Sequence, residues 1–365
     1  MMQFNIYIFN QLFRTTCIIS MVLIGIMWLF QTIKLLELVV NKGAPIFDFL
    51  IMSITVIPLW LTIALPIAGF IAVNWVFHRI LADRELTAMQ AVGLSPAQLA
   101  KAPVALGVLL TSILYFNSVF LLPTSFGIYK DLQFKLRNGI PVILLQDGVF
   151  TEVVPGLTMF IGSRSENNVV RDVFIQDTRT VDRTIILTAE NGKFVGEDNR
   201  PTLILGNGQR SEVNSDGESG ALLLFETHSL SLVTNEKKPS ERVANDMNED
   251  SISNLLNAKK SPYPEYALQR IAEGHYRIAS PLLALGLVMT VIAITLHGQL
   301  RRDLWLRRSL INISCCLGLI AMLITARSWT ITTPQLWILI HAVSILPIFI
   351  CGFTLIRPMK YVRNV

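Results

Sequence analysis

Chemistry in this chain would have to come from few residues. Glu85 lies within the stretch Ala82-Asp83-Arg84-Glu85-Leu86-Thr87-Ala88-Met89-Gln90-Ala91-Val92-Gly93-Leu94-Ser95-Pro96, between the second and third apolar runs. Asp83 can cap a helix whose apolar residues Leu86, Met89 and Val92 recur at helical spacing; Gly93 supplies its stop and Ser95-Pro96 restarts the chain. A carboxylate on such an exposed helix can accept a charge-assisted hydrogen bond from a partner's arginine. Ordinary surface helices carry the same residue types, so the stretch alone does not decide. Nothing else reads as a reaction centre. The five histidines, His78, His228, His275, His297 and His341, lack metal-ligand spacing. Asp172, Asp177 and Asp182 alternate with Arg171, Arg179 and Arg183, the pattern of a solvated strand edge rather than of an acid and base pair. Cys17, Cys315, Cys316 and Cys351 all fall inside apolar runs and offer neither a metal set nor a disulfide framework. No Gly-x-x-x-x-Gly-Lys-Ser/Thr sequence occurs, so the chain is expected to bind no nucleotide by that route, and no cofactor or metal of its own.

Polar residues within the apolar runs form two stripes. At about 100° per residue, Thr16, Ser20, Met27 and Gln31 share a narrow arc of the first run that ends in Lys34. Such a stripe suits protein or a cavity better than lipid, the other reading being scattered small polar residues and a snorkelling lysine. On the fifth run Ser314, Gly318, Ala321 and Thr325 make a smooth face that admits a close neighbour or a cavity wall, or else a packing seam within one subunit. Lys34, Lys42, Lys130, Lys135, Arg137 and Arg327 fall where the outer membrane surface is expected, a place that usually disfavours cations. They are candidates for contact with the anionic head group of a lipid.

The elements that must position these residues follow from composition. A chain of 365 residues with 52% hydrophobic and 16% charged residues is too apolar for a soluble domain, yet its middle is polar. Six spans are expected, near 15–33, 49–77, 102–122, 278–296, 309–326 and 335–356, the first preceded by an interfacial helix over 1–11. The second run exceeds the roughly 20 residues a span needs, so it must tilt, or kink at Pro58 and Pro66. Between spans three and four, short β-type runs separated by Pro155-Gly156, Asn191-Gly192 and Asp216-Gly217 predict an antiparallel, jelly-roll-like β domain. Residues 1–122 thus hold three spans with a short helix at 82–95, 123–265 the β domain and its return linker, and 266–365 three more spans. Arg14, Arg79, Arg84, Lys101, Arg301, Arg302, Arg307, Arg308, Arg357, Lys360 and Arg363 put both termini and that helix in the cytoplasm. The net charge of +5 therefore reflects membrane topology, and no nucleic-acid partner is expected.

Glu85, Ala88, Ala91 and Gly93 resemble the loose E-A-A-x-x-x-G signature of coupling helices in ABC-transporter membrane subunits. Taken with six spans and a central β insert, the chain resembles the lipopolysaccharide-export permeases of the LptF/LptG family over nearly its whole length. Arg84 to Ser95 with the lead-in Leu65-Pro66, Gln146-Asp147-Gly148-Val149-Phe150 and Arg171-Asp172-Val173-Phe174-Ile175 carry the likeness, which is closer to LptF than to LptG. The resemblance implies a Gram-negative inner-membrane permease subunit paired with an LptG-like partner. Two copies of a cytoplasmic LptB-like ATPase would hold the ATP and Mg, and periplasmic LptA/LptC-like proteins would receive the lipopolysaccharide. It also implies that Glu85, Leu86, Ala88, Met89, Val92 and Gly93 dock the ATPase, and that the first and fifth spans form lateral gates. Where the family often begins its first span with Arg-Tyr and an Arg-Glu pair, this chain has Ile6-Tyr7 and Asn10-Gln11. The competing expectation is a FtsX/MacB-like mechanotransmitter that carries no lipid, but that group commonly has four spans with the insert after the first. An ion channel would need a charged or carbonyl-rich filter segment.

Overall fold

The computed structural model describes residues 2–42, 46–138, 147–154, 156–165, 169–179, 183–197, 200–214, 219–231, 246–257, 266–296 and 305–356. Six stretches among them are long and apolar enough to cross a membrane: Gln3–Leu36, Ile46–Ala82, Lys101–Phe134, Ala267–Leu296, Trp305–Thr332 and Pro334–Ile356. The chain divides into two compact units, one built from residues 1–31, 55–127 and 244–365 and the other from 32–54 and 128–243.

The first span belongs to α1 (Met2–Lys42), a single uninterrupted helix. The separate interfacial helix expected over residues 1–11 is its first three turns, because no glycine or proline stands before Gly25 to break it. The second span is α2 (Ile46–Thr55) followed by α3 (Ile57–Ala82), with a break at Val56. Pro58 lies in the first turn of α3, where its missing N–H costs nothing, and Pro66 is carried inside the helix. After α4 (Glu85–Ala91) and α5 (Pro96–Leu99), the third span is α6 (Lys101–Phe116), a π turn (Asn117–Leu121) and α7 (Leu122–Asn138). The span was expected to end near residue 122, but the π turn just before Pro123 loosens the ladder where the proline would otherwise clash, and the helix continues.

The region expected as a return linker contains a 3-10 turn (Met247–Glu249) and α8 (Ile252–Leu256), capped by Asp246 and Ser251. Then come α9 (Ala267–Leu296), α10 (Trp305–Thr332), a 3-10 turn (Pro334–Leu336) and α11 (Trp337–Ile356). The fourth span, expected from 278, begins eleven residues earlier, at Ala267, as the start of α9.

Helix α9 is the core of the first unit: Ala279, Ala284, Leu287, Val288, Val291, Ile292 and Leu296 are all buried in one cluster with α3 and α6. Gly69 and Gly107 let the helices close up, since a Cβ at either would lie 2.5 Å from Leu110 Cδ1 or 2.7 Å from Leu285 Cδ1. Pro281, inside α9, cannot donate to the Arg277 carbonyl. Ser118 of the π turn donates to it instead, at 3.3 Å, and Tyr115 donates to the neighbouring Ile278 carbonyl at 2.8 Å.

In the second unit six antiparallel strands pair in chain order, β1 (Thr151–Val154), β2 (Leu157–Arg164), β3 (Val169–Asp177), β4 (Arg183–Glu197), β5 (Arg200–Asn214) and β6 (Ser219–Ser231). The all-β insert between the third and fourth spans is therefore present. One of its expected turns is not: Asn191-Gly192 lies inside β4. The ladder skips one position on each strand along a row through Gly162, Asp172, Glu190, Asn207 and Glu226. Asp172 and Asn207 there have φ of 54° and 51°. Across this row the inward-facing positions change parity: Val170 gives way to Val173 and Ile175, and Leu187 and Ala189 to Gly192 and Phe194. The row is a crease that lets each strand keep its apolar residues inside on both sides. Gly192 and Gly208 are required beside it, since a Cβ would lie 2.9 Å from Val170 Cγ2 and 2.3 Å from the Thr188 carbonyl oxygen.

Candidate coupling site and membrane faces

Helix α4 hangs directly from the end of the second span. Asp83 does not cap it: Asp83 closes α3, its N–H bonded to the Arg79 carbonyl, and the residue preceding α4 is Arg84 in the left-handed region at φ 60°. The chain needs a sharp reversal there, so the capping position falls one residue later than the spacing predicted. Its other end follows expectation. Gly93, at φ 92°, donates to the Gln90 carbonyl at 2.9 Å and Leu94 to the Met89 carbonyl at 3.2 Å, which is a Schellman closure. Ser95 and Gln98 then form a reciprocal capping box that starts α5 behind Pro96.

The three apolar residues of α4 do not share one fate. Leu86 is fully buried against the core, Met89 is half-buried, and Val92 is 86% exposed. Ala88 is exposed and Glu85 half-buried. The helix is too short to bury both ends of an apolar stripe, so Leu86 anchors it and the rest of the stripe turns outward. A cavity of 510 Å³ opens along that outward side, walled by Glu85, Ala88, Met89, Val92, Lys101 and, from α1, Phe4. Its lining is mostly apolar with one carboxylate and one ammonium, a surface suited to a partner's side chains. The contribution of Phe4 was not legible in the sequence, because an eleven-residue lead-in gives no sign of which helix it will touch.

On the first span, Thr16 and Ser20 are buried within the chain, with Thr16 Oγ1 donating to the Leu12 carbonyl at 2.8 Å. Met27 and Gln31 are half-buried and Lys34 is exposed. On the fifth span Ser314, Gly318, Ala321 and Thr325 are all exposed, and no atom lies within 4 Å of a Cβ built on Gly318. This stripe is no seam within the subunit.

Among the basic candidates, Arg327 pairs with Glu273 at 2.7 Å and lies over the Tyr276 ring at 5.0 Å. Lys130 is half-buried and engaged in other interactions. The side chains of Lys42, Lys135 and Arg137 lie outside the described residues, as do Arg301 and Arg302.

Two buried polar networks were missed. Glu273 also accepts from Arg277 Nε at 3.2 Å, and Arg277 donates to the carbonyls of Asp250 and Met247, while Arg270 pairs with Asp250. Together they pin the 246–257 segment to α9. At the opposite end of the helices, Asn312 donates to Asn74 at 2.9 Å, and Ser309 lies 2.7 Å from His78 Nε2 and accepts from Asn74 at 3.1 Å. Glu273 with Arg277, and Asn74 with His78, are both four apart on a helix, a spacing that marks one face. Their partners on another helix could not be read from spacing. Among the described residues no group of three His, Cys, Asp or Glu side chains is placed to hold a metal.

In the β unit Asp177 is not on a solvated edge. It ends β3, an interior strand, and grips Arg179 at 2.6 Å with both side chains mostly buried. Burial pushes its carboxyl up, but the hydrogen bonds and charge of Arg179, helped by Arg210, hold it below the usual carboxylate range. Burial, and then Arg210, lower His228. Strand β6 ends the sheet with Leu222, Leu223 and Leu224 all exposed.

Over residues 6–357 the chain matches the family described as lipopolysaccharide export system permease LptF/LptG. It is also similar to an uncharacterized protein of Rickettsia prowazekii (strain Madrid E), RP871, at 27% identity over 299 residues, covering 81% of this chain and 82% of that protein.

Proposed function

Because the chain belongs to the LptF/LptG family of lipopolysaccharide export permeases, we propose that it is the membrane subunit of an ABC transporter that takes lipopolysaccharide from the outer leaflet of the inner membrane and passes it through its β unit toward the outer membrane. The observation that carries this reading is the outward side of α4. Val92 and Ala88 stand bare beside a cavity containing Glu85, on a helix suspended from a span and closed by Gly93. Exposed apolar surface in water marks a protein contact, and a partner ATPase is the one this reading supplies. The positive-inside rule applied to Arg14, Arg79, Arg84, Lys101, Arg307 and Arg308 puts that side in the cytoplasm and the β unit in the periplasm.

In this reading the chain hydrolyses nothing. Two LptB-like ATPase copies move α4, and α3 passes the motion to α10 through Asn74, His78, Ser309 and Asn312. The bare stripe of Ser314, Gly318, Ala321 and Thr325 faces an LptG-like subunit. The share of the first span's stripe that faces the same chamber is Met27, Gln31 and Lys34, since Thr16 and Ser20 are already covered. Edge strand β6 is the side offered to an LptA/LptC-like bridge. The test is purification from a mild detergent extract with mass spectrometry of bound protein and lipid. An ATPase and a second permease subunit recovered with lipopolysaccharide support the reading; an ATPase recovered with no lipid, before or after ATP, would instead make this a mechanotransmitter.

A further inference from the structure

A second concave surface is built from α9, α10 and α11, without α1 or α4, and its α10 wall continues the fifth-span stripe, with Ile311 one turn before Ser314. The last turns of α9 and α11 and the first turns of α10 enclose a groove of 520 Å³, within the range of about 300–1,000 Å³ usual for small-ligand sites. Its bed is aliphatic, with Ile294, Ile311 and Ile350 from three different helices. Its hydroxyl protons are turned to their own helices, Thr290 donating to the Gly286 carbonyl and Thr354 to the Cys351 carbonyl, both at 2.8 Å. The bed therefore offers a ligand mainly apolar contact and no hydroxyl donor.

One end of the groove differs. Arg307 is exposed at its rim, and Arg308 is buried beside it with Nη1 donating to the Thr295 carbonyl at 3.3 Å. Both belong to the first turn of α10, where the helix dipole also favours an anion. The carboxyl ends of α9 and α11 point to the same side and oppose one, so the two guanidinium groups decide the sign. Ser309, next in the chain, touches His78 near the end of α3, so this end of the groove is on the same membrane face as α4.

We propose that this groove binds an anionic glycerophospholipid of that leaflet, one acyl chain along Ile294, Ile311 and Ile350 and the phosphate at Arg307 and Arg308. An aliphatic trough with paired cations at one end has the charge and polarity order of such a lipid. A zwitterionic lipid would gain the trough but not the net attraction, and free phosphate would gain the cations but not the trough. Naming the leaflet cytoplasmic rests on the proposed orientation; the binding chemistry does not.

The full-length chain, stripped of lipid in neutral detergent, is titrated with phosphatidylglycerol, with phosphatidylcholine of matched chains, and with inorganic phosphate, and bound adducts are counted by native mass spectrometry. Phosphatidylglycerol should be retained at a concentration at least fivefold below phosphatidylcholine, and Arg307→Gln should remove about fivefold of that preference. Ala293→Phe, which fills the trough, should weaken both lipids, whereas Lys193→Gln, at an exposed position of β4, should change neither. Equal retention of the two lipids, phosphate adducts as abundant as lipid adducts, or indifference to Arg307→Gln would overturn the site; so would unchanged lipid binding in a monodisperse Ala293→Phe protein. The titration contains neither ATPase nor lipopolysaccharide, so its failure leaves the transport reading standing, and failure to recover an ATPase leaves this site standing.

Discussion

Arg327 of α10 reaches across to Glu273 of α9, nitrogen to oxygen 2.7 Å, and the carboxylate it meets is already shared with Arg277. The two ends of this contact are unequal. The Arg327 side chain is 41% exposed and that of Glu273 is 7% exposed. Arg327→Ala should therefore cost about 0–1 kcal/mol, as for a half-solvated pair. Glu273→Ala strands Arg277 in the interior and should cost about 3–5 kcal/mol. Thermal unfolding of the detergent-solubilised chain measures both; equal losses would mean that Arg327, not Arg277, depends on the carboxylate.

Glu85→Ala should leave the fold intact, because its side chain supports no contact within the core, and should weaken coupling to the ATPase. Loss of a charge-assisted hydrogen bond is worth about 1.5–3 kcal/mol, or roughly a 10- to 150-fold change in association. Binding of the ATPase by the reconstituted permease is the readout, and an unchanged affinity would remove Glu85 from the docking surface.

At Gly93 the backbone itself is the constraint. An L side chain at φ 92° is strained by about 1–2 kcal/mol, and open space around the position offers nothing in return. Gly93→Ala should raise amide exchange over residues 85–99 while the buried turns of α9 stay protected. Uniform loss of protection along the chain would contradict a local hinge.

Single cysteines on a background lacking Cys17, Cys315, Cys316 and Cys351 distinguish covered from open faces. Gly318→Cys and Thr325→Cys should crosslink to the partner subunit with yields that change on adding ATP. Thr16→Cys should not, since that position is buried within this chain. A Thr16 crosslink to the partner would require the first span to leave its present seat.

Acid should loosen the β unit in two steps. His228 and Asp177 both titrate below their ordinary values, so the folded unit binds fewer protons than the unfolded chain and loses stability as pH falls. For His228 the loss begins near pH 6.5, and for Asp177 only below about pH 3.9. Protection factors of the β5 and β6 amides, compared at pH 7.5 and 5.5, should drop in the native chain and stay level in His228→Gln.

Much of this architecture was legible because its determinants are local. Apolar runs of sufficient length placed six spans, Gly93 placed a helix end, and Ser95 with Gln98 placed a helix start. What escaped was set by neighbours. Asn191-Gly192 has the composition of a hairpin turn, yet residues on both its sides pair with β3 and β5, which makes it one corner of a crease. Pro123 would end a lone helix, but a π turn and the bond from Asn117 to the Pro58 carbonyl carry the chain past it. Val92 looked interior by spacing, and only the shortness of α4 leaves it bare. For the site, the outer face of Glu85 and Ala88 could be read from periodicity, whereas the cavity wall from Phe4 and the clasp between Asn74 and Asn312 depend on which helices meet.

The π turn at Asn117–Leu121 amounts to one inserted amino acid that the helix has kept. Deleting a single residue there would restore ordinary α pairing, draw the helix beyond it back by about 1.5 Å and rotate it by about 100°. Phe126 and Tyr129, now buried, would swing away from their neighbours, and Pro123 would face an intact ladder. Relatives of this chain should therefore be aligned across the third span with a one-residue gap permitted at this turn, because a gapless alignment would equate side chains that point in different directions.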